Sequence, residues 1–212
     1  MVEYILKHPV SSTEALCEPR LFIISAPAGA GKTTLVRMLE TSYPNSLEKV
    51  VTSTSRSPRE NEKEGRDYYF LSKGGFEAGV KSGEFLEWVF LFGNYYGIGK
   101  GEISRIFSSG RHAVAVIDVQ GAVKIKMVMP AVSVFIAPPS VDELRRRLRE
   151  RGSEEEWQIS ERLLRSSEEL KAASQFDYII VNDNLSEAYQ ALVGVFIEEE
   201  NRSGHGQRNF NK

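Results

Sequence analysis

Several short segments of the chain are nearly continuous apolar runs rich in β-branched residues. Runs without polar alternation are typical of strands in a parallel sheet that is covered on both faces. The pattern predicts five such strands, at Leu21–Ser25, Val50–Ser53, Ala113–Asp118, Val132–Ala137 and Tyr178–Val181.

Segments with helical spacing of apolar residues follow these strands. The predicted helices are Lys32–Glu40, Gly121–Val128, Val141–Arg151, Glu155–Ala173 and Ser186–Glu199. Ser140 and Glu143 have the spacing of a capping box, which indicates a helix start after "PP". Alternating strands and helices predict an α/β fold in which a five-stranded parallel sheet is flanked by helices.

The stretch Arg66–Tyr96 departs from this alternation. It is rich in aromatic residues and contains short strand-like runs such as "DYYF" and "FLEWVFLFGNYY". We interpret it as a small mixed or antiparallel insertion on the main sheet. The final segment, "NRSGHGQRNFNK", is polar and contains glycine, a composition typical of a disordered tail.

Composition and charge narrow the class of protein. The net charge of −2 over 212 residues gives no overall attraction to nucleic acid or to an anionic membrane, and we expect neither as a partner. Cys17 is the single cysteine, which excludes an intramolecular disulfide and favours a reducing compartment. The N-terminal residues resemble neither a signal peptide nor a transit peptide, so we expect a cytoplasmic protein.

Residues 25–34, "SAPAGAGKTT", combine a glycine-bearing loop with Lys-Thr between a buried strand and a helix. This is the P-loop pattern in its required context, in which backbone N–H groups cradle phosphates. Lys32 is expected to reach the β- and γ-phosphates of a triphosphate and Thr33 to ligate Mg²⁺. The residues expected to contact this nucleotide are Ala26, Pro27, Ala28, Gly29, Ala30, Gly31, Lys32, Thr33 and Thr34.

An ordinary glycine-rich turn is the alternative, but it does not explain the adjoining lysine and threonine. The pattern normally begins with glycine, and Ala26 stands at that position. Asp118 closes a second predicted strand, where an acidic residue can hold the water shell of a metal ion. An aspartate at a strand end is weak evidence when taken alone.

Arg56 and Arg59 flank Pro58 in a segment without helical or strand periodicity. Two guanidinium groups near Tyr68 could clamp a phosphate monoester. A solvated charged loop is the alternative, and composition alone favours it.

The motifs "TSTSRSPRE", "EGRDYYF", "EFLEWVFLFGNYYG", "IDVQGA", "PPSVDELRRRLRERG" and "VND", together with the P-loop, resemble the guanylate kinase family in kind and order. The resemblance covers about residues 20–200. It implies a core of residues 20–52, 97–139 and 175–200, a GMP-binding region of residues 53–96 and a lid of residues 140–174. Residues 1–19 would then be an N-terminal extension, and residues 201–212 the polar tail.

The resemblance also implies which residues bind GMP. Glu87 matches the carboxylate that accepts the two donors of guanine, N1–H and the exocyclic amino group. An exposed strand residue beside a partly buried Trp88 is the alternative for Glu87. The full set implied for GMP is Thr52, Arg56, Arg59, Tyr68, Glu87, Tyr96 and Asp118.

Two positions depart from the family pattern. Ile98 replaces a Ser or Thr that contacts the base, a loss of about 1 kcal/mol in binding if one neutral hydrogen bond is removed. Val116 replaces the first acid of a D-I-D motif, which leaves Asp118 to position Mg²⁺ alone, through water.

Arginine is unusually dense in the segment "ELRRRLRERGSEEEWQISERLLR". Arg147 and Arg151 are four residues apart and share one helix face, while Arg162 falls on the following predicted helix. A solvated helix pair with Glu–Arg bridges is the alternative. By resemblance, Arg147, Arg151 and Arg162 act with Lys32 in catalysis, and Asn182 lies beside the adenine of ATP.

The implied activity is transfer of the γ-phosphoryl group of Mg·ATP to GMP or dGMP by a monomer or weak homo-oligomer. A kinase-like scaffold domain without catalysis is one alternative, but such domains usually lack the P-loop lysine and much of the lid. A P-loop hydrolase is another, but it has no use for a second monophosphate site.

Overall fold

The computed structural model describes residues 18–91, 93–150 and 156–202. In chain order, its elements are β1 (Leu21–Ser25), α1 (Lys32–Ser42), β2 (Leu47–Lys49), β3 (Thr52–Thr54), β4 (Tyr68–Phe70), α2 (Lys73–Lys81), β5 (Phe85–Leu91), β6 (Asn94–Gly99), α3 (Lys100–Ser108), β7 (His112–Val116), α4 (Val119–Val128), β8 (Val132–Ala137), α5 (Val141–Glu150), α6 (Glu156–Lys171), β9 (Tyr178–Val181) and α7 (Leu185–Arg202). A 3₁₀ turn, Ala172–Gln175, joins α6 to β9. Helix α7 extends two residues into the predicted polar tail, the rest of which lies outside the described residues.

Five strands form the main sheet in the order β2-β7-β1-β8-β9, and every neighbouring pair is parallel. This confirms the predicted α/β fold class. Successive residues of β1 point to opposite faces. Phe22 and Ile24 pack in the core cluster under α1 and α7, whereas Leu21 and Ile23 pack in the cluster under α3 and α4.

The predicted strand Val50–Ser53 is wrong as one element of the main sheet. The main-sheet strand at this place is β2, which ends at Lys49, and β3 belongs to a second sheet. The Val50 N–H still bonds to the Val114 carbonyl, at 2.9 Å. The next N–H, that of Val51, instead donates to the Glu102 carboxylate at 3.2 Å, so the chain leaves the sheet here.

The second sheet contains four short strands in the order β4-β3-β6-β5. Strands β3 and β4 are parallel, and the β3–β6 and β5–β6 pairs are antiparallel. The mixed insertion predicted from the aromatic-rich stretch is therefore present, and β3 joins it from the preceding segment.

Helices α2 and α3 were not predicted from the sequence. The α2 sequence, "KGGFEAGVK", contains three glycines, which lower helix propensity. The helix is held by its ends and its packing: the Ser72 hydroxyl accepts from the Gly75 N–H, and Phe76 is fully buried.

Helices α5 and α6 form a pair with a small core of its own. Leu144, Leu148, Ile159 and Leu163 are buried together, and Ala28 packs against them. The predicted cap at Ser140 is present, since its hydroxyl accepts from the Glu143 N–H at 3.1 Å. Among the helices described, none is long and apolar enough to cross a membrane.

Candidate active site

The loop after β1 has the backbone geometry of a phosphate cradle. Gly29 and Gly31 have φ values of 95° and 91°, a left-handed conformation that strongly favours glycine. Gly31 is the N-cap of α1 and makes no side-chain cap, so first-turn N–H groups are left for an anion. The Ala26 methyl group is buried in the core cluster beneath α1 and α7.

Asn182 braces this loop from the far end of the main sheet. Its side chain is 4% exposed, and its Nδ2 donates to the Ala30 carbonyl at 2.8 Å. A Cβ atom on Gly31 would lie 2.2 Å from Asn182 Nδ2, so the close approach itself requires glycine. Contact of Asn182 with adenine stays a prediction; the structure adds a role in positioning the loop.

Lys32 lies at the mouth of the loop. Its Nζ is 3.4 Å from the Ala26 carbonyl, to which it donates. Burial lowers the pKa of Lys32, the charges of Glu169 and Asp118 act in the opposite direction, and Arg165 adds to the lowering. Thr33 and Thr34 are exposed on the first turn of α1.

One face of the second sheet carries the residues predicted to contact a monophosphate nucleotide. Thr52 is paired with Tyr68, and Tyr96 is paired with the residue two positions after Thr52. Ile98, two positions after Tyr96, is opposite Glu87. Directly paired residues, and residues two apart along a strand, share a face. The structure therefore places four predicted GMP-binding residues on the same face, namely Thr52, Tyr68, Glu87 and Tyr96.

Arg56 joins this group of residues. The Arg56 guanidinium lies 5.4 Å from the Tyr68 ring centroid, and the Tyr68 and Tyr96 rings are 6.2 Å apart. Burial acts to lower the pKa of Arg56, but hydrogen bonds to Glu62 and Tyr96 outweigh it and the net pKa is raised. The Arg59 side chain is exposed.

Glu62 is a site residue that the sequence did not reveal. Both of its carboxylate oxygens lie 2.8 Å from Arg56 Nη2, and Oε2 also accepts from the Arg59 N–H at 2.8 Å. The carboxylate fixes the loop that carries the two arginines. The solvated-loop interpretation therefore fails for Arg56, whose side chain is organised by specific partners.

Glu87 is buried, although it is the one charged residue of strand β5 and its sequence neighbours Leu86 and Trp88 are apolar. Glu87 is 5% exposed and Trp88 is 38% exposed, the reverse of the alternative in which the glutamate faced solvent. Glu87 Oε2 is buried without a hydrogen-bond partner among the described residues. Burial raises the pKa of Glu87 to about 7, the charge of Asp118 adds to the rise, and Lys124 opposes it.

Asp118 connects the two halves of the site. Its Oδ1 accepts from the Gly121 N–H at 2.8 Å and caps α4. A Cβ atom on Gly121 would lie 3.0 Å from Glu87 Oε2, so the buried glutamate rests against the same helix start. The Asp118 charge influences Glu87 on one side and Lys32 on the other.

Of the predicted lid arginines, Arg147 and Arg162 are described, and Arg151 lies outside the described residues. Arg147 Nε donates to Glu143 Oε1 at 2.7 Å, while Arg162 is half-buried on α6. Further along α6, Arg165 and Glu169 also belong to this group: Arg165 Nη2 lies 3.7 Å from Asp118 Oδ2, and Arg165 Nε lies 3.3 Å from Glu169 Oε1. The spacing 162, 165 and 169 on one helix face was the available signal for these two residues.

A phosphate-binding loop and a buried carboxylate on an inserted sheet meet at Asp118, beneath a pair of arginine-rich helices. This arrangement is that of a P-loop protein with an inserted second sheet beside the loop.

Comparison with known proteins identifies the family. The guanylate kinase family model matches residues 18–200. The chain is 54% identical to a guanylate kinase of Chlamydia trachomatis over 93% of its own length and 97% of that protein's. It is 53% identical to a guanylate kinase of Chlamydia pneumoniae, over 96% of its own length and 99% of that protein's.

A solved structure agrees with these sequence matches. The crystal structure of guanylate kinase from Anaplasma phagocytophilum has a TM-score of 0.69 and 32% identity to this chain, with 89% of each chain covered. The chain belongs to the guanylate kinase family, which confirms the resemblance found in its motifs.

Proposed function

We propose that this protein is an ATP:GMP phosphotransferase that transfers the γ-phosphoryl group of Mg·ATP to GMP or dGMP, giving ADP and the nucleoside diphosphate. Membership of the guanylate kinase family supports this reaction. The structural observation that carries it is the buried Oε2 of Glu87 on the inserted sheet, which has no hydrogen-bond partner among residues 18–91, 93–150 and 156–202.

A buried carboxylate oxygen without a donor is unfavourable until a ligand supplies one. Guanine offers N1–H and its 2-amino group, whereas adenine has an acceptor at N1 and no 2-amino group. Adenine would leave the Glu87 carboxylate desolvated and unpaired. A site built on such hydrogen bonds can reject the wrong base by about 10⁴-fold.

The GMP phosphate would bind to Arg56, Arg59, Tyr68 and Tyr96, at the other end of the same sheet face. The Arg56 guanidinium is already oriented by Glu62 and by the two tyrosines. Thr52, paired with Tyr68, would supply a hydroxyl near the base. Asp118, close to Glu87, would help to hold the base or its bound water.

ATP would bind with its phosphates in the loop of residues 26–34 and its adenine near Asn182. The residues present fit Mg²⁺, because Thr33 is exposed with its hydroxyl and Asp118 Oδ2 is buried without a hydrogen bond from any residue that the structure describes. Mg²⁺ commonly uses few protein ligands together with substrate phosphates. When bound, it would neutralise charge on the transferring phosphoryl group.

The reaction needs positioning and charge neutralisation more than proton transfer. The GMP phosphate is already an anionic nucleophile, and the transition state is in line and largely dissociative. Lys32 would stabilise charge on the donor phosphates, and Arg147, Arg151 and Arg162 would do so from the lid. Closure of the lid would also exclude water as a competing acceptor.

A panel of phosphate acceptors tests this proposal. With Mg·ATP, ADP formation is expected with GMP and dGMP and to be nearly absent with AMP, CMP, UMP or no acceptor. A coupled ADP assay measures all six conditions. Equal turnover with AMP would contradict the role of Glu87, and ADP formation without any acceptor would identify a hydrolase.

The departure at Ile98 gives a second test. Ile98 is fully buried opposite Glu87, so a hydroxyl introduced there would face the guanine edge. Ile98→Thr is expected to lower the KM for GMP about fivefold relative to Ile98→Val, which has the same shape without the hydroxyl. Ile98→Val should lose about 0.5–1.5 kcal/mol of unfolding free energy, and Ile98→Thr more, because its hydroxyl is buried in the apolar core cluster. A KM for GMP in the threonine variant equal to or above that of the valine variant would contradict a contact between guanine and a hydroxyl at position 98.

A cytoplasmic location and a monomeric or weakly homo-oligomeric state stay predictions. So do the boundaries of the core, GMP-binding region and lid.

A further inference from the structure

Arg165 is a cation at the site to which neither the motifs nor the family resemblance gives a role. It lies on α6, a helix of the lid pair, and its side chain is about one-third exposed. Its guanidinium extends toward the main sheet. Arg165 Nη2 is 3.7 Å from Asp118 Oδ2, and Arg165 Nε is 3.3 Å from Glu169 Oε1.

The two acids that Arg165 contacts are poorly hydrated. The side chains of Asp118 and Glu169 are 14% and 16% exposed. Asp118 Oδ2 has no hydrogen-bond partner in the described part of the chain, so its ion pair with Arg165 offsets the cost of burying this charge. Burial raises the pKa of Glu169, and the charges of Arg165 and Lys32 act against that rise.

Arg165 therefore links the lid to the residue that connects both substrate pockets. The second oxygen of Asp118 caps α4 beside Glu87, and its charge influences Lys32. Without Arg165, Lys32 would remain as a cation whose charge acts on both carboxylates. Both substrates are polyanions, and uncompensated acids at the point where they meet would oppose their approach.

We propose that Arg165 is a positioning residue for phosphoryl transfer, which fixes the Asp118 carboxylate by bridging it to Glu169 on the lid helix. It acts through Asp118 and does not contact the transferring phosphoryl group. This inference rests on the proposed function, and it adds a residue to the site that the function uses.

Arg165→Gln is expected to lower kcat about thirtyfold, because misplacement of a site group by about 1 Å can cost up to 10²-fold. The KM for ATP should change less than threefold, since the phosphate cradle is untouched. Arg165→Lys should recover part of the loss, because it keeps the charge but not the fork that reaches two acids. Arg202→Gln is the matched control: Arg202 is exposed at the end of α7 and paired with Glu199 on its own helix, so kcat should not change.

A double-mutant cycle separates positioning from direct contact. Asp118→Asn keeps an oxygen that can cap α4 but removes the charge that Arg165 pairs with. If Arg165 acts through Asp118, Arg165→Gln in the Asp118→Asn background should lower kcat less than threefold further. A full thirtyfold further loss would overturn the proposal, because it would mean that Arg165 meets substrate directly. An Arg165→Gln variant with parental kcat would overturn it as well.

Unfolding of the substrate-free variants makes the test independent of activity. If the parent protein shows no GMP-dependent turnover, the proposed function fails. The parent, Arg165→Gln, Asp118→Asn and the double variant are then compared by urea denaturation. The bridge requires non-additive effects of the two substitutions on the unfolding midpoint. Strictly additive effects would mean that the Arg165 and Asp118 side chains are not coupled, and this result would contradict the positioning role of Arg165.

Discussion

Lys32→Ala is expected to lower kcat by at least about a thousandfold while leaving the fold intact. Lys32 is the cation at the mouth of the loop, folded onto the Ala26 carbonyl, where a triphosphate would bind. Removal of a single preorganised hydrogen-bond donor that stabilises developing charge commonly lowers kcat by about 10²–10³-fold. The loss here should reach the upper end, because Glu169 and Asp118 would lose one of the two cations whose charges act on them, with Arg165 remaining.

Steady-state kinetics with saturating ATP and GMP measure this effect, and circular dichroism checks the fold. Lys100→Ala is the matched control, because Lys100 is exposed at the start of α3 and should keep parental kcat. Since burial already lowers the pKa of Lys32, its removal should shift the unfolding temperature little. Parental kcat in Lys32→Ala would refute the phosphate-cradle assignment.

Glu87→Gln is expected to lower kcat/KM for GMP by about 10³-fold and to reduce discrimination against AMP. A glutamine amide offers one acceptor where guanine needs two, and its NH₂ group opposes a guanine donor. Hydrogen bonds to a charged group contribute about 1.5–3 kcal/mol, and an opposed donor pair adds to the loss. The acceptor panel measures both effects. Glu84→Gln, at an exposed glutamate just before β5, should behave as the parent does.

The same substitution should change how stability depends on pH. The pKa of Glu87 is raised from 4.5 to about 7 in the folded protein, so the folded state binds more protons than the unfolded state between these values. Stability then falls as pH rises through this window, by at most about 3 kcal/mol in total. Glu87→Gln should therefore be more stable than the parent at pH 8, with little difference at pH 4.

Binding of GMP should follow the opposite trend in the parent. Guanine prefers the ionised carboxylate, so the KM for GMP should rise as pH falls below about 7. In Glu87→Gln the KM should vary only with ionisation of the GMP phosphate, whose second pKa is about 6 and which affects both proteins alike. Urea unfolding at the two pH values and kinetics from pH 6 to 8 provide the measurements. If the KM of the parent for GMP depends on pH no more than that of Glu87→Gln, the raised pKa of Glu87 is contradicted.

The main sheet and the phosphate loop could be predicted because their signals are local. An apolar run, two glycines and Lys32-Thr33 lie within one short segment, and the structure forms the expected strand, loop and helix from it. The strand at Val50–Ser53 could not be placed correctly. Its register depends on the carboxylate of Glu102, about fifty residues away, which captures the Val51 N–H.

The candidate site was predictable only in part, for a related reason. Sequence alone could not tell whether Glu87 faces solvent, because apolar residues surround it on both sides in "FLEWVFL". Glu62, Arg165 and Glu169 were missed because each acts through a partner on another segment or several residues away. Charged residues of this kind cannot be distinguished from a solvated helix face until the pairing is known.

The brace between Asn182 and the phosphate loop joins parts of the chain that are 152 positions apart. The docked edge strand β9 thus helps to hold the loop in place independently of a bound nucleotide. Little ordering entropy is left to be lost on association, which favours affinity without additional contacts. Local opening of β9 and collapse of the cradle become a single event, so a bound triphosphate would stabilise the C-terminal edge of the sheet from a distance.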